Sequence, residues 1–215
     1  VNGAAAFGIH PYRKDIMVTQ GPVYRRSFAA PEMYANERMV AKGYLKAIGK
    51  TLPLWNTEAG YSTVFFLDPV LYPDSQSESA RVRQAHLVLR NVLTQVALNE
   101  PIITVYRLMD KGFSSTDKEM NFGLLDAAGG EKPAFVALKT MHSMIKGLKF
   151  SGHHTDVAPG LHVLKWTDSV SSSSAKVFAL WVDNPGDDVS VVLPSGTKSV
   201  HGWNGVNLGL RAGDS

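Results

Sequence analysis

A chain of 215 residues, 44% of them apolar, is long enough for one large domain or two small ones, and its apolar content excludes intrinsic disorder. Lys and Arg number 22 against 19 Asp and Glu, a dispersed net charge of +3 that is too mild to argue for a nucleic-acid partner. The lack of cysteine excludes disulfides, thiol catalysis and Cys-based metal sites, and no run of 18 apolar residues exists to span a membrane as a helix. The start, Val1-Asn2-Gly3-Ala4, carries neither an initiating Met nor the basic opening of a signal peptide, which points to a processed or truncated chain.

In chain order, the apolar run from Gly3 to Ile9 reads as a buried strand stopping at His10-Pro11-Tyr12. His10 and Tyr12, two apart, point to the same side if the strand continues through them. Residues 13–30 form a long loop punctuated by Gly21-Pro22. Its basic doublets Arg13-Lys14 and Arg25-Arg26 hint at an acidic ligand, although such doublets are more often simply solvated. Pro31 opens a helix with Val40, Ala41, Tyr44, Leu45 and Ile48 as its apolar face, closed by Gly49. A strand over 51–57 follows. Residues 62–74 are a second long loop with Phe65, Phe66 and Tyr72, and Ser75 with Glu78 makes a capping box for the next helix. That helix turns Ala85, Val88, Leu89, Val92, Leu93 and Val96 inward. Pro101 to Leu108 is β-branched and aromatic, hence a third strand, and Met109-Asp110-Lys111-Gly112 leads into a polar loop ending at Asn121-Phe122-Gly123. Lys132-Pro133 begins a last helix with Ala137, Leu138, Met141, Met144, Ile145 and Leu148 inward.

Residues 1–148 thus alternate strand and helix three times, with the long loops after the strands, as parallel strands joined by helical crossovers require. In such sheets chemistry sits at the carboxyl ends of the strands. Leu52-Pro53-Leu54-Trp55-Asn56-Thr57-Glu58-Ala59-Gly60-Tyr61 places Glu58 at such an end; the structural alternative is a carboxylate bonded to nearby backbone or an Arg. After Phe150 the helical period disappears. His162–Trp166, Lys176–Val182, Val189–Leu193 and Lys198–Val200 read as short strands of an antiparallel domain, separated by Ser171–Ser174, Asn184-Pro185-Gly186 and Pro194-Ser195-Gly196. The strand Lys176–Val182 is apolar on both faces and so expected to be buried on both.

The stretch Trp55–Tyr61 resembles the seventh-strand signature of the clan A glycoside hydrolases with a (β/α)8 barrel, including family 39-like and family 5-like enzymes. His10-Pro11-Tyr12 is similar to that clan's sixth-strand element. Tyr106, Asp110, Asn121-Phe122-Gly123-Leu124 and Lys132-Pro133-Ala134-Phe135 resemble its eighth strand, loop and helix. The resemblance implies about strands 6–8 of a TIM barrel over residues 1–148, followed by an incomplete β-sandwich over 149–215. It implies a retaining hydrolase without metal or cofactor, acting on a poly- or oligosaccharide, with a secreted or periplasmic location. Glu58 would be the nucleophile and Tyr12 would hydrogen-bond and orient it, while His10, Trp55, Tyr61, Tyr106, Asp110 and Asn121 would line the sugar site.

One departure matters. Retaining hydrolysis needs a second carboxylic acid about 5–5.5 Å from the nucleophile, which the clan carries in an Asn-Glu pair on the fourth strand, ahead of the nucleophile. Asn99-Glu100-Pro101 is a look-alike, but it joins a helix end to a strand start at the amino-terminal rim, roughly 20 Å from the catalytic face. Asn99 is read as a helix stop. The chain is therefore expected to be the carboxyl-terminal part of a hydrolase, inactive alone, with the missing half of the barrel a possible separate partner chain. A non-catalytic carbohydrate-binding or adhesion module is the main competing reading. A metal-dependent hydrolase ranks lower, because His10, His86, His142, His153-His154, His162 and His201 lack ligand spacing.

Overall fold

The computed structural model describes residues 4–12, 30–64, 76–168, 175–183 and 189–209. The basic doublets, Phe65, Phe66, Tyr72, Ser75, Ser171–Ser174 and Asn184-Pro185-Gly186 lie outside them. The chain forms two compact units, Val1–Phe135 and Val136–Ser215.

In the first unit β1 (Phe7–Ile9) and β2 (Leu54–Asn56) pair in parallel. The Phe7 amide donates to the Pro53 carbonyl at 2.9 Å and the Thr57 amide to Ile9 at 3.1 Å. Parallel neighbours need a crossover, and it is helical. Pro31 presets the first turn, a 3-10 turn over Pro31–Met33, and α1 runs Tyr34–Ala47. Gly49, at φ 67°, ends it with a paired cap in which Gly49 N donates to Lys46 O and Lys50 N to Leu45 O. The α1 face differs from expectation. Tyr34 and Leu45 are buried, whereas Val40, Tyr44 and Ile48 are exposed.

The second crossover is α2 (Glu78–Ala97). Its N-cap is Ser77, whose hydroxyl accepts from Ala80 N at 3.3 Å, two residues past the serine expected. Asn99 stops it as anticipated, at φ 53°, with Glu100 N donating to Gln95 O at 3.1 Å. Glu100 sits with its side chain nearly sealed, ion-paired to Arg38, so its role is structural. α2 buries polar residues alongside Ala85, Val88, Val92 and Leu93: Gln84, Asn91 and Gln95 also face inward. Gln95 accepts from Asn56 of β2 at 2.6 Å and donates to Asn91 at 2.6 Å. Beyond α2, residues 101–108 do not form a regular strand. They join the sheet through one parallel bridge, Asn56 with Ile103. The segment then turns to bond the loop after it: Arg107 N donates to Phe122 O, Leu124 N to Arg107 O, and Leu125 N to Leu108 O.

α3 (Pro133–Ile145) contains the division between the units. In the second unit β3 (Lys149–His154), β4 (Leu161–Thr167) and β5 (Ala175–Val182) form an antiparallel sheet in sequence order. The central strand is β4, and Leu161, Val163, Leu164 and Trp166 make the core, with Phe150 edge-on to Trp166 at 5.5 Å. β5 borders the sheet among the described residues and is only half-buried, Leu180 being exposed. The strand buried on both faces is β4, with Leu161 and Val163 buried on one face and Leu164 and Trp166 on the other. β3 carries too many Gly and His residues to read as a strand from sequence. Residues 189–193 and 198–200 form no strand; a turn bridged by His201 and Asn207 follows. Within the second unit, the described residues form this one sheet and no second one to pack against it as a sandwich.

Candidate active site

β1 and β2 deliver His10, Tyr12 and Glu58 to one place. Just past β1, Tyr12 N donates to His10 O at 2.8 Å, a tight turn that fixes both side chains. The Tyr12 hydroxyl donates to Glu58 Oε1. The other oxygen, Oε2, lies 3.7 Å from His10 Nδ1, and the Glu58 side chain remains 34% exposed. Glu58 is thus held at one oxygen and open to solvent beside it. Burial, and then the hydrogen bond and charge of Glu58, push the Tyr12 phenol far above its ordinary range, so it stays a neutral donor.

Two further rings, Phe122 and Tyr106, wall this pair. Tyr12 meets Phe122 edge-on at 5.8 Å and Tyr106 at 6.1 Å, and Tyr106 meets Phe122 at 5.4 Å, spacings that favour edge-to-face contact. The backbone around them is tight. A Cβ on Gly60 would fall 1.9 Å from the Tyr106 carbonyl oxygen, and one on Gly123 would fall 2.2 Å from Asp110 N, so both positions need glycine. Tyr106 N donates to Ala59 O at 2.7 Å, binding the Glu58 loop to the 101–108 segment. Gln84 donates to the carbonyls of Tyr61, Asn121 and Gly123 at 2.8, 3.3 and 3.3 Å, tying both loops to α2.

Three residues expected to line the sugar site are instead spent on this framework. Asp110 is buried, accepting from Gly123 N at 2.5 Å and from Lys132 Nζ at 3.1 Å. Asn121 is wholly buried, its amide donating to Ser114 O and Asp117 O while its oxygen accepts from Gln76. Tyr61 is only 5% exposed and offers no face for stacking. For Asp110 and Asn121 the reason is shared: closing a long loop over a core leaves backbone groups that need buried polar partners. Trp55 is half-buried, between the buried Leu54 and Asn56 on β2, and so faces away from α2. Tyr106 is also half-buried.

Sequence reasoning named Phe122, Asp110 and Lys132 within the resemblance but passed over their framework roles, the Phe122 wall and the buried Asp110–Lys132 pair. The only signals were Asn-Phe-Gly after a polar loop and a Lys ahead of a helix-opening Pro. Burial lowers the Lys132 pKa, opposed by Asp110. In the second unit His162 Nε2 donates to Asp183 at 2.7 Å, and its Nδ1 lies 3.0 Å from His153 Nε2, so hydrogen bonds occupy both His162 nitrogens.

No model of a known protein family matches the sequence, and no curated protein sequence matches it. A solved structure described as a family 39 glycoside hydrolase from the gut symbiont Bacteroides cellulosilyticus WH2 superposes with a TM-score of 0.66 at 19% identity, covering 97% of this chain. The chain spans 40% of that protein's length. It therefore shares the fold of part of a glycoside hydrolase.

Proposed function

We propose that the chain is the carboxyl-terminal part of a retaining glycoside hydrolase that cleaves O-glycosyl bonds of a poly- or oligosaccharide. In fold terms it corresponds to about the last three strands of a (β/α)8 barrel and a following β-sandwich. The observation that carries the reading is the half-open Glu58 carboxylate at the end of β2, gripped at one oxygen by the Tyr12 phenol from the end of β1. The shared fold with part of a family 39 enzyme supports it.

Glu58 attacks the anomeric carbon and displaces the leaving sugar oxygen, forming a glycosyl ester on its carboxylate. Water then attacks the same carbon and frees Glu58, so two displacements retain the stereochemistry. Tyr12 donates to the carboxylate throughout and fixes the direction of its free lone pairs. Tyr106 and Trp55 supply apolar sugar-facing surface and His10 lines the near subsite. The acid that protonates the leaving oxygen belongs to the part of the enzyme beyond this chain, since Glu100 is committed to Arg38.

The test is an assay on aryl glycosides and polysaccharides. The 215-residue chain alone is expected to give no turnover. As part of a complete barrel it is expected to turn over, and Glu58→Gln to lower that activity on the order of 10⁴-fold. Turnover unaffected by Glu58→Gln contradicts the reading. Sugar binding that persists in Glu58→Ala with no turnover in any assembly is the outcome of a binding module.

A further inference from the structure

The second unit carries a polar cluster that the catalytic reading leaves unused. His162 on β4 pairs directly across the ladder with Trp181 on β5, and His153 on β3 pairs with Leu164, two residues along β4 from His162. Residues two apart share a face, so His153, His162 and Trp181 stand on one face of the sheet. The His162 ring lies flat on that of Trp181, with centroids 4.8 Å apart and planes 3° from parallel. The His153 ring stacks beside them, 5.2 Å from His162 and 6.3 Å from Trp181. Asp183, just past β5, accepts from His162 Nε2 at 2.7 Å, and its own amide donates to Gly160 O at 2.9 Å. The bond to Asp183 fixes the His162 tautomer: Nε2 carries the hydrogen and Nδ1 presents its lone pair. That Nδ1 faces His153 Nε2 at 3.0 Å. β4 is anchored by the buried Leu164 and Trp166, so the His162 ring is held between a rigid strand, an indole face and a carboxylate.

We propose that His153 Nε2 and His162 Nδ1 are the two protein ligands of a copper(II) site, with Asp183 orienting His162 from behind. A metal-bound histidine commonly donates its other ring N–H to a carboxylate, which sets the tautomer and raises the ligand's basicity; His162 already does so. The approach that lets two imidazoles share a hydrogen also lets them share an ion. Nitrogens 3.0 Å apart, each about 2.0–2.1 Å from a metal, subtend roughly 91–97° at it. That is near the right angle between neighbouring ligands of a tetragonal ion and short of the roughly 109° of a tetrahedral one. Tetragonal sites of nitrogen and oxygen belong to copper(II) and nickel(II), and copper binds the more tightly of the two. The ion replaces the shared hydrogen. His153, exposed on β3, stays neutral by carrying its proton on Nδ1 instead, and solvent completes the coordination. His154 pairs with Val163 and points to the opposite face, so it takes no part. The two ligands lie nine residues apart on different strands, which is why no linear spacing announces them. The site stands apart from Glu58 and does not depend on its role.

The experiment titrates copper(II) chloride into the 215-residue chain and follows tryptophan fluorescence, because an ion bound to His162 quenches Trp181 across the 4.8 Å stack. Quenching that saturates at one ion per chain is expected, with an electron paramagnetic resonance spectrum of a tetragonal ion bound by two nitrogens. His153→Ala is expected to abolish the saturable phase while leaving the circular dichroism unchanged, since that side chain is exposed. Asp183→Asn is expected to weaken binding roughly 10- to 100-fold, the usual cost of losing the carboxylate behind a ligating histidine. His154→Ala and His201→Ala are expected to leave binding as it is. Absence of a saturable phase, its persistence in His153→Ala, or a spectrum without two nitrogens overturns the proposal. Binding indifferent to Asp183→Asn, or lost in His201→Ala, does so as well.

Discussion

At the scale of single residues, a carboxylate serves as a nucleophile when it is held by one oxygen and free at the other. Tyr12 does the holding and cannot itself ionise near neutrality, because burial and Glu58 both oppose its charged form. A hydrogen bond to a charged group contributes about 1.5–3 kcal/mol, so Tyr12→Phe is expected to lower kcat/KM of the assembled enzyme roughly 10- to 150-fold. Steady-state kinetics on a protein with unchanged circular dichroism checks it. Tyr34 gives a second prediction. Burial, then Glu100, raises its folded pKa. An acid that holds its proton more tightly when folded contributes stability that is complete below its unfolded pKa of about 10 and is lost as pH rises beyond it. Unfolding midpoints in urea are therefore expected to fall between about pH 9.5 and 11, and less steeply in Tyr34→Phe. Glu58 stood out in the sequence by its strand-end position, whereas its bond to Tyr12 was an implication of the family resemblance; β1 ends at Ile9 and the chain turns at His10–Tyr12, so strand alternation does not run through them. The buried pairing of Asp110 was not legible: the resemblance made it a sugar-site residue, and nothing near it in sequence announces Lys132.

Elements show where periodicity informs and where it stops. The three helices and two of the parallel strands lie where apolar spacing and punctuation put them, and Asn99 ends α2 as its composition suggested. Periodicity could not say that part of α1's apolar face stays uncovered, since it reports affinity for a core and not which core. Nor could it find the buried amides of Gln84, Asn91 and Gln95, which look like polar surface yet satisfy the strand ends that α2 packs against. Residues 101–108 have the composition of a strand but spend their later backbone groups on the 122–125 loop, so only one bridge to β2 remains. The Asp110–Lys132 pair locks that loop and with it Phe122. Breaking a buried pair by removing one partner costs about 3–5 kcal/mol, since a charge is left uncompensated. Lys132→Met is expected to lose that much stability in urea titration and to weaken the ring contacts of Tyr12, whereas Lys118→Met, on the exposed side of the same loop, is expected to change stability by less than about 0.5 kcal/mol.

For the molecule as a whole, the first unit is a layered α/β body with its catalytic candidate at the strand ends, and the second is a small antiparallel sheet. Both classes were readable from the change of texture near Phe150, although the break between compact units falls earlier, inside α3. One half-open carboxylate at the strand ends, in a chain that shares the fold of part of a longer protein, is what the proposed reading requires. The most direct measurement uses a panel of 2,4-dinitrophenyl 2-deoxy-2-fluoroglycosides on the complete enzyme that contains this chain, read by intact mass and peptide mapping. Such probes carry a leaving group that departs without an acid, so they report the nucleophile alone. One fluoroglycosyl adduct per chain, mapped to Glu58 and absent in Glu58→Gln, is the result expected. An adduct on any other carboxylate of the assembly contradicts the assignment, as does turnover of the probes with no covalent species at Glu58.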